Sequence, residues 1–178
     1  NITSNNGAVK WDQYYNAINL ANTLTHFMPE VVAKDNSFTD QLRLEYESEA
    51  LFIRAISYFY LVRIWKEVPL VTEASISDQG ELFAPKNSES EVIAQIITDL
   101  LAAKENAVSD KYKDNLPYYK GRANIYSINA LLDLIFKKYF GFDKPMINKI
   151  CKLPSRWVTI YKCPPLVLYS SGAFMAND

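Results

Sequence analysis

Apolar side chains recur along this chain at three- and four-residue intervals, in stretches divided by polar or proline-bearing runs. Behind a polar opening, Trp11, Tyr14, Tyr15, Ile18, Ala21 and Leu24 fall on one helical face. The spacing predicts a first amphipathic helix that stops near Pro29, because proline withdraws an amide donor and crowds the preceding turn. The polar run 34–40 then reads as a connection, with Thr39 or Asp40 available to cap the next helix. From about 41 to 65 the pattern becomes apolar almost all round, and Arg54, Ser57 and Arg63 are the polar exceptions after Ala50. A helix apolar on every side is a central one. Val68, Pro69 and Leu70 end it, since the residue before a proline is driven out of helical geometry.

Residues 71–87, with Gly80 and Pro85, form a long polar excursion, and loops of that length are either functional or mobile. Ser88 and Glu91 have capping-box spacing and open a third helix. Val92, Ile93, Ile96, Ile97, Leu100 and Leu101 recur as adjacent pairs every four residues, with Glu89, Asp99, Lys104 and Glu105 off that stripe. The pattern dissolves at 109–115, and Pro117 and Gly121 precede a fourth helical segment over 123–136. Beyond Lys137, Pro145, Pro154, Pro164 and Pro165 leave little room for long helices. There the pieces 157–161 and 166–169 either pair as short strands or lie as loose coil. The expected architecture is all-α, with a helical region over 1–140 and an irregular, proline-broken tail over 141–178.

Composition narrows the function classes. With 178 residues, 49% hydrophobic and 22% charged, the chain can build one sizeable core, and disorder is excluded for most of it. Nineteen Lys and Arg stand against twenty Asp and Glu without any basic stripe, which argues against nucleic-acid binding through phosphate neutralisation. Five glycines are few for a hairpin-rich β protein or a nucleotide fold built on glycine-rich loops. The longest apolar stretch, 50–65, carries Arg54 and Arg63 and is short of the roughly 20 residues a membrane helix needs. Cys151 and Cys163 supply neither a CxxC motif nor a zinc-ligand set. The chain opens at Asn1 without an initiator methionine or a signal-like segment, so a processed or partial chain is expected.

No catalytic, cofactor-binding or metal-binding set can be written. His26, the single histidine, is expected at the end of the first helix, placed favourably near its terminal carbonyls rather than in a nucleophilic triad. Glu45 with Glu49, and Glu47 with Glu49, read as helix-surface carboxylates lacking basic partners that would push their pKa values apart. Twelve tyrosines, nine phenylalanines and three tryptophans make a sugar-stacking platform conceivable, yet Tyr58, Phe59 and Tyr60 sit in the all-apolar helix and read as core. Trp11, at a helix start after a polar stretch, is either partly exposed or packed internally. Arg54 and Arg122 are expected to make charge-assisted bonds between helices, to glutamates or carbonyl ends.

Three stretches together resemble one family. Glu47-Ser48-Glu49-Ala50-Leu51-Phe52-Ile53-Arg54-Ala55, continuing through Tyr58-Phe59 and Leu61-Val62-Arg63 to Trp65 and Val68-Pro69-Leu70, resembles the signature helix and exit turn of the SusD/RagB outer-membrane nutrient-binding proteins. Upstream, Trp11, Tyr14, Ile18, Ala21 and Asn22 are similar to the family's preceding helix. Downstream, Glu91-Val92 through Ile96 to Asp99-Leu100, and Gly121-Arg122-Ala123 through Ala130-Leu131-Leu132, resemble its next two helices. The family usually has glycine where Ser48 and Lys66 stand, and a left-handed backbone at Lys66 would cost about 1 kcal/mol. The likeness fades after Leu132, where the family continues into further helix pairs, so a truncated or frame-disrupted chain is expected.

The resemblance implies tetratricopeptide-like helical hairpins and a non-catalytic glycan- or nutrient-binding protein without cofactors. It implies a cell-surface, outer-membrane location through a lipidated cysteine that this chain lacks, and partnership with a SusC-like TonB-dependent transporter that receives the captured oligosaccharide. Trp11, Glu49, Arg54, Pro69, Gly121 and Arg122 correspond to fold-signature positions. The family's sugar-contacting residues fall largely outside the matched stretches, so none is carried over. The alternatives are a generic tetratricopeptide-like module that binds protein segments, or a non-functional truncated gene product with exposed repeat faces.

Overall fold

The computed structural model describes residues 10–75, 84–108 and 122–142. They form α1 (Asp12–Lys34), α2 (Asp40–Trp65), α3 (Glu89–Glu105) and α4 (Ile125–Phe140). A two-residue pairing joins β1 (Val68–Pro69) to β2 (Lys86–Asn87), antiparallel, with Val68 opposite Asn87 and Pro69 opposite Lys86. The all-α expectation holds, and this short pairing is the one feature of regular structure in the described residues that the hydrophobic pattern did not foreshadow. It closes the base of the excursion between α2 and α3.

Helix α2 packs against both α1 and α3, and α4 packs against α3. The core follows from the three- and four-residue spacing. Ile18 from α1, Tyr58, Leu61 and Val62 from α2, Ile96 and Leu100 from α3, and Ile128, Leu132 and Ile135 from α4 are buried in one cluster. Each such aliphatic side chain contributes about 1.5–3 kcal/mol by leaving water. Every member of the α3 stripe, from Val92 to Leu101, is buried.

Side chains mark where the helices begin. Thr39 caps α2, its hydroxyl accepting from the Leu42 amide at 3.3 Å. Ser88 and Glu91 form the expected capping box, the Ser88 hydroxyl accepting from the Glu91 amide at 3.3 Å and the Glu91 carboxylate from the Ser88 amide at 2.8 Å. The Ser88 hydroxyl also donates to the Glu91 carboxylate at 2.7 Å, and this bond, with the one from the Ser88 amide, holds the Glu91 carboxyl below its ordinary range. The box is therefore complete above the usual glutamate pKa and loosens as pH falls through the lowered value. Asn124 caps α4 by accepting from the Tyr126 and Ser127 amides, both at 3.0 Å. At the other end of α4, Gly141 adopts φ 67°, and the amides of Gly141 and Phe142 reach back to Lys137 and Phe136. That is a Schellman ending, fastened by stacking of Phe142 on Phe136.

Three expectations need correction. Helix α1 does not stop near Pro29 but runs through it to Lys34. Pro29 is exposed, so the carbonyl it leaves without a helical donor is not trapped in the core, while Met28 beside it is buried and holds that turn in place. His26 consequently lies inside α1 rather than at its end, exposed and edge-on to Phe27 at 4.7 Å. Helix α4 continues four residues past 136, because the aromatic residues Tyr139 and Phe140 still pack on the core.

Lys66 has φ 67° and ψ −71°, and the Glu67 amide donates to the Trp65 carbonyl at 2.8 Å. This is a γ-turn with positive φ, a strained conformation for any residue with a Cβ. Gly80, Pro117, Gly121, Cys151, Cys163, the pieces 157–161 and 166–169, and the tail beyond Phe142 lie outside the described residues. Among the described residues no helix is long and apolar enough to cross a membrane.

Pro29→Ala restores the missing helical hydrogen bond and is expected to stabilise the chain by up to about 3 kcal/mol. A thermal melt that fails to move upward contradicts an uninterrupted α1. Lys66→Gly relieves the positive φ at the cost of an exposed ion pair to Glu89, and urea titration should show a gain of about 1 kcal/mol.

Candidate functional site

The most heavily constrained polar group in the described residues is Arg54, on the face of α2 that meets α1 and α3. Its guanidinium makes a two-pronged pair with Asp99 of α3, Nε to Oδ2 and Nη2 to Oδ1, both at 2.7 Å. Nη1 donates to the Asn22 side-chain oxygen at 2.8 Å and to the Thr72 carbonyl at 3.1 Å. Arg54 is 8% exposed and Asp99 2%. Burial opposes the arginine charge, but the hydrogen bonds and charge of Asp99 outweigh it and raise the Arg54 pKa. Gln95 completes the shell by donating to Asp99 Oδ1 at 2.8 Å. The expected interhelical bond of Arg54 is therefore present, but its carboxylate partner is an aspartate. Asp99 is not an off-stripe surface residue: it faces inward because Arg54 neutralises it there.

Asn22 and four further side chains hold residues 69–75 against α1 and α2. Asn22 donates to the carbonyls of Val71 at 3.1 Å and Glu73 at 3.0 Å. The Tyr58 hydroxyl accepts from the Val71 amide at 2.7 Å and donates to the Val71 carbonyl at 3.0 Å. Tyr15 donates to the Pro69 carbonyl at 2.6 Å, Asn87 accepts from the Leu70 amide at 3.0 Å, and Asn19 accepts from the Ser75 amide at 3.2 Å. Burial pushes the Tyr58 phenol up to about 12 and raises that of Tyr15 further, so both remain hydroxyl donors across the physiological range.

A second arginine pair joins α2 to the approach of α4. Arg122 holds Glu49 with two hydrogen bonds, the one from Nε at 3.0 Å, and its guanidinium lies 5.2 Å from the Tyr46 ring centre. Glu47 pairs with Arg43 at 2.8 Å, and buried Glu45 accepts from Gln41 at 3.1 Å. The expectation of surface carboxylates without basic partners is thus overturned for Glu47 and Glu49. Glu47 is engaged by an arginine one helical turn before it, whereas the partner of Glu49 lies 73 positions away, where its sequence neighbours do not identify it.

Aromatic residues gather where the start of α1 meets the end of α2. Trp11 lies 5.8 Å from Tyr15 and 5.9 Å from Trp65, and Tyr14 lies 6.0 Å from Tyr60. Trp11 is 37% exposed while contacting both neighbours, so the two readings of it each hold in part. Tyr58 and Phe59 are core as expected, but Tyr60 is 44% exposed, because α2 leaves one stripe, Ile53, Tyr60 and Ile64, outside its packing. Leu20, Leu24, Phe27 and Val31 form a similar exposed stripe on α1. Among the described residues no group of His, Cys, Asp and Glu is arranged to hold a metal ion.

Residues 1–138 match a family of SusD-like proteins described as starch-binding and associating with the outer membrane. The chain belongs to this SusD-like family. It is 30% identical over 144 residues to SusD-like protein P38 of Formosa agariphila, covering 75% of this chain and 27% of that protein. Among solved structures it is similar to a laminarin binding SusD-like protein, with 29% identity, a TM-score of 0.60, and coverage of 71% of this chain and 25% of that one. A SusD-like carbohydrate binding protein from Bacteroides fragilis matches with 26% identity, a TM-score of 0.61, and coverage of 76% and 25%. The chain thus spans about a quarter of the length of these relatives, and their shared helical fold agrees with the expected SusD-like hairpins.

Of the positions singled out from the SusD-like resemblance, Arg54 and Glu49 each pair with a distant residue, Arg122 is the partner of Glu49, Pro69 presents its carbonyl to Tyr15, and Trp11 caps the aromatic group. Gly121 lies outside the described residues. Ser48 donates to the Ala103 carbonyl at 2.7 Å and so ties α2 to the end of α3. Asn22, Tyr15 and Asn19 were not singled out as contact residues. Tyr15 enters the sequence reading only as a member of the apolar face of α1 and Asn22 only as part of the family resemblance, while Asn19 carries no signal beyond being a polar residue beside Ile18.

Arg54→Met strands the buried Asp99 carboxylate and is expected to cost about 3–5 kcal/mol in denaturant titration. Combining it with Asp99→Leu should recover a large part of that loss. Additive losses in the double variant would contradict direct coupling of the two charges.

Proposed function

We propose that this chain supplies helical framework to a non-catalytic carbohydrate-binding protein at the outer membrane, one that passes captured oligosaccharide to a SusC-like TonB-dependent transporter. The carrying observation is the family match over residues 1–138, a family described as starch-binding and associating with the outer membrane. Relatives named for laminarin and for carbohydrate binding support a glycan as ligand. A lipid anchor and the transporter partnership extend that reading to the cell surface.

The state of the carboxylates supports a binding role over hydrolysis. Sugar hydrolysis needs two carboxyl groups facing a common space with separated pKa values. Here Asp99, Glu49 and Glu47 are each committed to an arginine. In this reading Trp11, Glu49, Arg54, Pro69 and Arg122 are framework residues, and they act on ligand binding only through the stability of the helices.

Affinity electrophoresis of the protein against laminarin, starch and xyloglucan tests the proposal, with reducing-sugar release measured on the same samples. Retardation by at least one polysaccharide without sugar release is the expected result, and turnover of any of them would overturn it. Trp11→Ala is expected to lower the melting temperature and leave the retardation of the folded protein unchanged. Loss of retardation with an unchanged melt would instead make Trp11 a ligand contact.

A further inference from the structure

We infer that residues 69–75 are a built-in ligand of the α1–α2 hairpin, filling the side-chain array that would otherwise grip an extended peptide from another protein. An extended segment outside a sheet exposes an amide and a carbonyl at nearly every residue, and each needs a partner. In residues 70–75 those partners are side chains rather than a β-ladder. Asn22, Arg54 and Tyr58 take the carbonyls of Val71, Thr72 and Glu73, while Tyr58, Asn87 and Asn19 take the amides of Val71, Leu70 and Ser75.

This is how a peptide backbone is recognised, performed within one chain. The gripping groups come from α1, α2 and β2, and two of them are held independently of the segment, since Arg54 is locked by Asp99 and Asn22 is oriented by Arg54. The side chains of Thr72 and Glu73 point away from this grip far enough to leave both residues exposed. Apart from Leu70, whose side chain packs on the core, what the array reads is the backbone, so it would accept another segment following the same path if its own were absent. Covalent attachment gives the resident segment an effective concentration on the order of millimolar, and a peptide in solution must compete with that. The hairpin is therefore closed to the protein-segment binding that helical-hairpin repeats commonly support. This inference is independent of the carbohydrate reading.

Amide hydrogen exchange on the intact chain, resolved by residue, tests it together with titration of a synthetic peptide spanning residues 68–75. The expected result is protection of the Leu70, Val71 and Ser75 amides, and no shift of the Asn22 side-chain resonances with peptide at about the millimolar effective concentration of the tether. Tyr58→Phe removes both hydrogen bonds to Val71 and should accelerate exchange there at least about tenfold, while the buried amides of α3 keep their rates. Exchange at Val71 as fast as in a free peptide would show that the segment is not seated, and saturable peptide binding at Asn22 in the intact chain would show that the array is open. Either result overturns the inference.

Discussion

The fold turns on one buried charge. An arginine brought into the centre of a helical core needs an opposite charge and a full set of acceptors, or it destabilises the structure that encloses it. Arg54 meets that requirement from three directions, with Asp99 on α3, Asn22 on α1 and the Thr72 carbonyl beyond β1. Because guanidinium geometry is planar and rigid, the four hydrogen bonds of Arg54 fix more than proximity. They set how far α1 and α3 are each advanced along α2, since a slip by one residue would move a partner off the guanidinium plane. Hydrophobic burial drives these helices together, but it is tolerant of sliding, and the polar centre is not.

The helices themselves were legible because their signals are local. The Ser88 and Glu91 box, the Thr39 cap and the paired stripe from Val92 to Leu101 depend on residues within a few positions of one another, and each lies where its spacing places it. Pro29 misled for the opposite reason: the cost of a proline in a helix is also local, but here it is outweighed by the burial of Met28 and the continuation of the helix beyond it. The burial of Asp99 was not legible, because a carboxylate off an apolar stripe is ordinarily solvated. Only the arrival of Arg54, 45 positions away in sequence, changes its environment. The hold on residues 69–75 was invisible to periodicity altogether, since it joins irregular backbone to single polar residues on two helices.

Family membership and physical reading meet in these long-range pairs. The SusD-like match supplies the identity of the scaffold, and the pairs supply a reason for its polar residues to sit where they do. Arg122 with Glu49 joins the fourth helix to the second as Arg54 with Asp99 joins the second to the third. Ser48 adds a hydroxyl that finds the Ala103 carbonyl at the end of α3, so this buried polar atom is satisfied as well.

The hold on residues 69–75 bears on how this chain can change over generations. A segment held mainly through its own carbonyls and amides keeps its place when its outward side chains change, provided Leu70 keeps its contact with the core and no proline replaces a bonded amide. Thr72 and Glu73 can drift under mutation while their path across the helices stays the same. The burden of keeping that path falls on Asn22, Arg54, Tyr58 and Asp99, far away in sequence from some of the residues they secure. The exposed surface here can therefore be renewed by single substitutions, while the frame beneath it admits change only in matched pairs.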